Sequence, residues 1–385
     1  MNNLIKWLLR LLVFVIGFAF MGGTAVAQSE SEEAEYLDLF VSGSEGYHTF
    51  RIPSLVLTPN GTVLAFIEGR RAGSSDTGDI DLLMRRSEDG GATWKATSLV
   101  WDDGPNVCGN PTAVVDEDTG RIWLFMTWNL GEDGEREIIE RRAKDTRRVF
   151  LTFSDDDGNT WDPPRDITNQ VKNPEWGWYA TGPGVGVQIK HGSNRGRLVI
   201  PCDHSYMGVD GKYEYGSHAI FSDDHGETWE IGGVISPKMN ECQVVELEKE
   251  PGSLLMNMRS YHGNSLRALS VSEDGGESWS YPVDALDLID PVCQAAMIRF
   301  SWSDGPMGNI LLFSNPASTT RDNMTVKISK DEGRSWSTIK RLHEGPAAYS
   351  SLAILPDGKV LCLFERGMNN PYEKVTLASF YLDDK

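Results

Sequence analysis

From Leu37 onward, short apolar runs of β type alternate with clusters of Gly, Asp and Pro, the pattern of many short strands joined by turns. Five of these runs, IDLLMRR, RVFLTF, HAIF, RALSV and MTVKI, lead into one pattern, Ser-x-Asp-x-Gly-x-(Thr/Ser)-Trp, which begins at Ser87, Ser154, Ser222, Ser272 and Ser329. In such a turn the Asp accepts hydrogen bonds from backbone amides, the Gly adopts positive φ without a Cβ clash, and the Trp brings a large apolar face to bury. Copies spaced roughly 50 to 70 residues apart fit one four-stranded β unit each rather than a helical solenoid repeat. An EF-hand reading of these acidic turns fails, because Phe153 stands where a calcium loop around Asp155 needs an acid. The pattern therefore predicts an all-β chain, a β-propeller. Strands flanking the five repeats at both ends predict a sixth blade closed by the N- and C-terminal segments, which leaves no open sheet edge around the ring.

One stretch departs from this rhythm. Glu132 to Arg148, EDGEREIIERRAKDTRR, is helix-like and dense in both charges, and reads as a solvated excursion between strands, with a substrate-contacting lid as the alternative. At the N-terminus, Lys6 and Arg10 precede an apolar run from Leu11 to Met21, followed by Ala25-Val26-Ala27, which together predict a secretory signal over residues 1–27. The run is shorter than the ~18 to 20 residues that span a bilayer. A secreted or periplasmic location follows, with no stable membrane insertion after cleavage. Residues 28–36 read as a disordered acidic lead-in, and 37–385 as one six-bladed propeller domain.

The formal net charge of −20 excludes nucleic acid and anionic membrane as natural partners, so an anionic ligand needs a local cluster of arginines. Five scattered cysteines, Cys108, Cys202, Cys242, Cys293 and Cys362, do not form a disulfide framework. The seven histidines lack metal-ligand spacing and no glycine-rich phosphate loop is present, so neither metal nor nucleotide cofactor is expected. Outside the repeats, Arg51 in FRIPSL, Arg259 in LLMNMRS and Arg321 in NPASTTRDN sit in apolar or small-residue surroundings on what the repeats make three different blades. Each alone could be a structural ion pair; converging on a propeller axis, they would clamp one carboxylate.

With these arginines, the motifs EGRRAGSSDTGDIDLLMRRS from Glu68, ATGPGVG from Ala180, NECQVVE from Asn240, FSNPAS from Phe313 and AAYSSL from Ala347, together with the five Asp-boxes, closely resemble the bacterial exo-α-sialidase (neuraminidase) family, over nearly all of the chain beyond residue 27. The resemblance implies a six-bladed propeller and a retaining hydrolase of terminal α-linked sialic acids on glycoproteins, glycolipids or oligosaccharides, acting through a covalent tyrosyl-glycosyl intermediate. It further implies that Arg51, Arg259 and Arg321 bind the sialic acid carboxylate, with Arg70 a further pocket arginine. Tyr349 matches the nucleophile, Glu241 the carboxylate that activates it, and Asp76 the general acid/base, with Asp79 and Asp81 close by as alternatives. Glu365, in LFERG, would orient Arg51, and Gln294, in DPVCQAA, would touch the ligand.

This chemistry is coherent on physical grounds. Sialic acid carries a carboxylate on its anomeric carbon, which repels a carboxylate nucleophile; a phenol attacks as a neutral group and becomes anionic only as a base removes its proton. Two other readings share part of the pattern. A hydrolase of a related nonulosonic acid would keep the arginines and the Tyr–Glu pair and differ in the N-acyl pocket. A non-catalytic, glycan-binding Asp-box propeller would lack one of Tyr349, Glu241 and Asp76, yet all three are present.

Overall fold

The computed structural model describes residues 33–382. Its strands form six antiparallel four-stranded blades around one axis, and Asp-box turns link the third strand of a blade to its fourth in five of them. Blade I comprises Thr49–Leu57, Val63–Arg70, Ile80–Ser87 and Ser98–Trp101. Blade II comprises Val107–Val115, Ile122–Asn129, Arg148–Ser154 and Arg165–Asp166. In blade III, Trp178–Thr181 and Val187–Gln188 pair in turn with Leu198–Met207, followed by Tyr213–Ser222 and Glu230–Ile235. Blade IV runs from Met239–Glu246 through Leu254–Ser260 and Leu266–Ser272 to Val283–Ile289.

Blades V and VI share the long strand Ser337–Ile354. Its first half pairs with Asp322–Ser329, outside Ile310–Pro316 and Ala296–Ser301, and its second half becomes the inner strand of blade VI. Blade VI continues through Val360–Arg366 and Lys374–Phe380 and is completed by the N-terminal strand Glu35–Val41. Contact between Thr49–Leu57 and Ser337–Ile354 closes the ring. The sixth blade is thus built from both ends of the chain, as the strand pattern predicts.

The N-terminal strand begins earlier than the apolar pattern places it. Glu35 and Tyr36 pair with Ser379 and Ala378, and Lys359 holds the Glu35 carboxylate at 3.2 Å, so neither residue is lead-in. The proposed signal and most of the lead-in lie outside the described residues. Among the described residues no helix is long and apolar enough to cross a membrane.

Burial explains why the ring holds. Successive side chains of a strand point to opposite faces, so Val63, Ala65 and Ile67 of blade I pack against blade VI while Leu64 and Phe66 pack against blade II. The same division repeats around the axis, giving one apolar cluster between each pair of neighbouring blades. The Asp-boxes close these wedges from outside. In the first, Ser87 Oγ accepts the Gly91 N–H at 2.8 Å, Asp89 Oδ1 accepts the Thr93 N–H at 2.8 Å, and the Trp94 indole donates to the Gly91 carbonyl at 2.9 Å. Hydrogen bonds from Thr93 hold the Asp89 carboxyl down to about 2. All five cysteines are free and buried.

Candidate active site

At one end of the axis the inner strands do something that β-alternation does not specify. Four of them lose register at that end, between Arg51 and Ser54, Gly109 and Thr112, Met239 and Cys242, and Ala347 and Ser350. A bulge inserts a residue and re-aims the side chains beside it. Arg51, Asn110, Asn240, Glu241 and Tyr349 stand at these four bulges and line one cavity of about 330 Å³. The bends carry strain: Ile52 has φ +64 and Asn110 φ +52, and for a β-branched residue the former costs roughly 1–3 kcal/mol. Buried polar side chains offset it by accepting the freed amides. Glu365 takes the Ile52 N–H at 2.9 Å and the Tyr349 N–H at 3.1 Å, Glu68 takes the Asn110 N–H at 2.7 Å, and Gln294 takes the Ser350 N–H at 3.0 Å.

The cavity gathers most of the residues singled out from the sequence. Tyr349, almost fully buried, donates its hydroxyl to Glu241 Oε1 at 2.5 Å. The other oxygen of Glu241 accepts Arg259 Nη1 at 2.7 Å, and that nitrogen also lies 3.3 Å from the Tyr349 hydroxyl. Burial and the Glu241 charge push the Tyr349 phenol well above its ordinary range, against the pull of Arg259 and Arg321. Arg51 donates through Nε to Glu365 at 3.2 Å, and Arg321 reaches the Tyr372 hydroxyl at 2.7 Å. Arg51 Nη2 and Arg259 Nε are buried without an acceptor among the described residues, leaving donor capacity for an anion.

Arg70 lies on the same wall, paired with Glu68 at 2.6 Å and with Asp76 at 2.8 Å. Asp76 is 61 % exposed at the cavity mouth and 3.6 Å from Arg51. Burial disfavours its charge, but Arg70 and Arg51 outweigh that and hold its carboxyl below the usual carboxylate range. The alternatives nearby face elsewhere. Asp81 is buried against the Tyr47 hydroxyl and Arg71, each at 2.6 Å, and Asp79 pairs with Arg71 at 3.2 Å. Of the three, Asp76 alone lines the cavity.

Gln294 requires correction. It does not line the cavity: its amide donates to the Pro183 and Ser350 carbonyls at 3.1 and 3.0 Å while its oxygen serves the blade VI bulge. It braces the strand behind Tyr349 instead of touching a ligand. The charged segment is also not merely solvated. Its helix covers only Glu135–Ile139, with Ile138 and Ile139 buried against Trp178. It delivers Glu135 to the mouth, and Arg147 beyond it lies inside the cavity, bound to Asn110, Asn129 and the Tyr179 carbonyl and stacked over Trp178 at 3.9 Å. Burial lowers the Arg147 guanidinium to about 10.

Sequence reasoning missed Arg147, Glu135, Asp203, Tyr261 and Tyr372, all of which line the cavity. Asp203 is buried on blade III, and burial together with Glu241 and Glu135 raises its carboxyl well above the ordinary range. The isoleucine pair inside an otherwise charged run was the available signal for the first two.

A six-bladed propeller whose axial cavity joins a buried tyrosine–carboxylate couple to a group of arginines has the architecture of the sialidase-like propellers. Residues 61–362 match the BNR repeat-like domain family. The chain is 34 % identical over 355 residues to a sialidase of Micromonospora viridifaciens, covering 89 % of this chain and 53 % of that one. It is 31 % identical over 405 residues to an exo-alpha-sialidase of Aspergillus fumigatus, covering 94 % and 93 %. Among solved structures it is similar to the Hadza microbial sialidase Hz136, with a TM-score of 0.79 and 32 % identity over 90 % of this chain and 68 % of that one. The chain thus spans about half the length of the Micromonospora relative and nearly all of the Aspergillus one. The protein belongs to the sialidase family of BNR-repeat propellers.

Proposed function

We propose that the protein is a retaining exo-α-sialidase that releases terminal α-linked sialic acids from glycoproteins, glycolipids or oligosaccharides. The observation that carries this reading is the 2.5 Å hydrogen bond from Tyr349 to Glu241 beside Arg51, Arg259 and Arg321 in one cavity. The three guanidiniums hold the substrate carboxylate, which fixes the anomeric carbon next to the Tyr349 oxygen. In the first step the Tyr349 oxygen bonds to the anomeric carbon, its proton passes to Glu241, and the bond to the aglycone oxygen breaks. Asp76 gives that oxygen a proton.

In the second step Asp76 takes a proton from water, the resulting hydroxide bonds to the anomeric carbon, and the tyrosyl bond breaks. Glu241 returns its proton to the phenol, and two inversions leave the configuration retained. Asp76 must be protonated for the first step, yet Arg70 and Arg51 favour its anion. A bound carboxylate among the arginines adds negative charge close to Asp76 and raises its proton affinity.

The test is release of a fluorogenic aglycone from an α-N-acetylneuraminic acid glycoside by the wild type and by Tyr349→Phe. Turnover that collapses in the variant is expected. A folded wild type with no turnover on this glycoside or on the deaminated analogue would overturn the reading.

A further inference from the structure

Of the cavity's arginines, Arg51, Arg259 and Arg321 are not held alike. Arg51 has the Glu365 carboxylate and Arg259 has Glu241, each in direct contact. Arg321 forms no ion pair among the described residues, and its side-chain hydrogen bond goes to the hydroxyl of Tyr372. The ring of the same tyrosine lies under the Arg51 guanidinium at 4.3 Å, closer than the Tyr349 ring at 5.0 Å. One neutral side chain therefore contacts two of the cations, by its oxygen and by its face.

The loop that presents Tyr372 is itself tied down. Glu373 accepts the backbone amides of Met368, Asn369 and Asn370 at 2.8 to 3.2 Å. The Tyr372 amide donates to Asn370 at 2.8 Å, and its carbonyl accepts the Ser42 hydroxyl at 2.7 Å. A tethered tyrosine on a short loop can set where two long side chains point. The choice of a neutral group has a physical sense: a carboxylate here would satisfy Arg321 and compete with an incoming anion, whereas a phenol orients the guanidinium and leaves its charge available.

We propose that Tyr372 is a positioning residue that aims Arg321 and Arg51 at the substrate carboxylate, and so sets how strongly the site selects acids over neutral esters. This rests on the sialidase reading above. A clamp on a group that keeps its charge throughout the reaction acts on ground state and transition state alike, so the effect falls on KM rather than kcat.

Tyr372→Phe keeps the ring and removes the hydroxyl; Tyr372→Ala removes both. The phenylalanine variant is expected to raise KM for the fluorogenic sialoside about tenfold with kcat within about twofold, the size of one lost hydrogen bond to a charged group. As an inhibitor, free N-acetylneuraminic acid should weaken about tenfold while its methyl ester changes by less than about twofold. The alanine variant should weaken acid binding further. Unchanged KM in both variants, or equal weakening of acid and ester, would overturn the assignment. If the wild type turns over the sialoside and only these differences are missing, Tyr372 loses its role and the sialidase reading stands.

Discussion

Glu365 joins the two halves of the proposed chemistry, so its replacement is the most informative single change. It is fully buried, with one oxygen accepting Arg51 Nε and the Ile52 amide and the other accepting the Tyr349 amide. Glu365→Gln keeps the shape but offers one acceptor instead of two. With its carbonyl toward Arg51 and Ile52, which present two donors, its NH2 meets the Tyr349 N–H, donor against donor. Arg51 also loses the carboxylate that compensates its burial. Breaking a buried ion pair costs about 3–5 kcal/mol, and the retained amide hydrogen bonds reduce this to about 2–4 kcal/mol. Unfolding entropy scales with length, so in a chain of this size that corresponds to a Tm lower by about 3–5 °C.

Because both Arg51 and the Tyr349 backbone shift, kcat/KM should fall on the order of a hundredfold, more than the stability loss alone would cause in a protein still folded at 25 °C. Thermal unfolding and steady-state kinetics on the fluorogenic sialoside measure both quantities. A Tm within about 1 °C of wild type together with kcat/KM within about threefold would show that Glu365 does not couple the clamp to the nucleophile.

Other consequences follow from the same geometry. Since a bound carboxylate raises the proton affinity of Asp76, the alkaline limb of kcat should lie at higher pH than that of kcat/KM; superimposable limbs would remove Asp76 as the titrating acid. Gln294→Leu should lower Tm through the Ser350 amide that loses its side-chain acceptor while leaving the relative affinity for acid and ester inhibitors unchanged, and a selective loss of acid binding would contradict its placement behind the strand. The Asp-box carboxyls Asp89, Asp156, Asp224, Asp274 and Asp331 are all held below their ordinary value. Their contribution to stability is therefore complete above about pH 5 and lost as pH falls through the ordinary carboxyl value and then their lowered folded values, and Asp224→Asn should flatten the acid limb of the urea midpoint against pH.

Much of the fold was legible because it is carried by local chemistry repeated along the chain. Each Asp-box closes its own turn with groups at most four residues apart, so the copy at Ser222 can be read without knowing what surrounds it. Arg51, Arg259, Arg321, Glu241, Tyr349 and Asp76 were legible through the motifs that hold them, and the structure brings all six to one cavity. What stayed hidden depends on bulges and on long-range contacts. Alternation alone cannot say that Asn110 turns inward at φ +52, nor that Arg147 is buried while Arg148, its neighbour, pairs with Asp145 and Asp166 nearer the surface. Gln294 was misread because a glutamine that satisfies a strand bulge has the same sequence appearance as one that meets a ligand. Tyr372 gave no signal, since its two arginines are distant in sequence.

The central claim is that Tyr349 attacks the anomeric carbon, and the most direct measurement is the mass of the protein after reaction with a 2,3-difluorosialic acid, whose second step is slowed by the ring fluorine. The expected result is one glycosyl adduct on the peptide that contains Tyr349, formed by the wild type and absent from Tyr349→Phe. An adduct on another residue, or turnover with no adduct and no dependence on Tyr349, would contradict it.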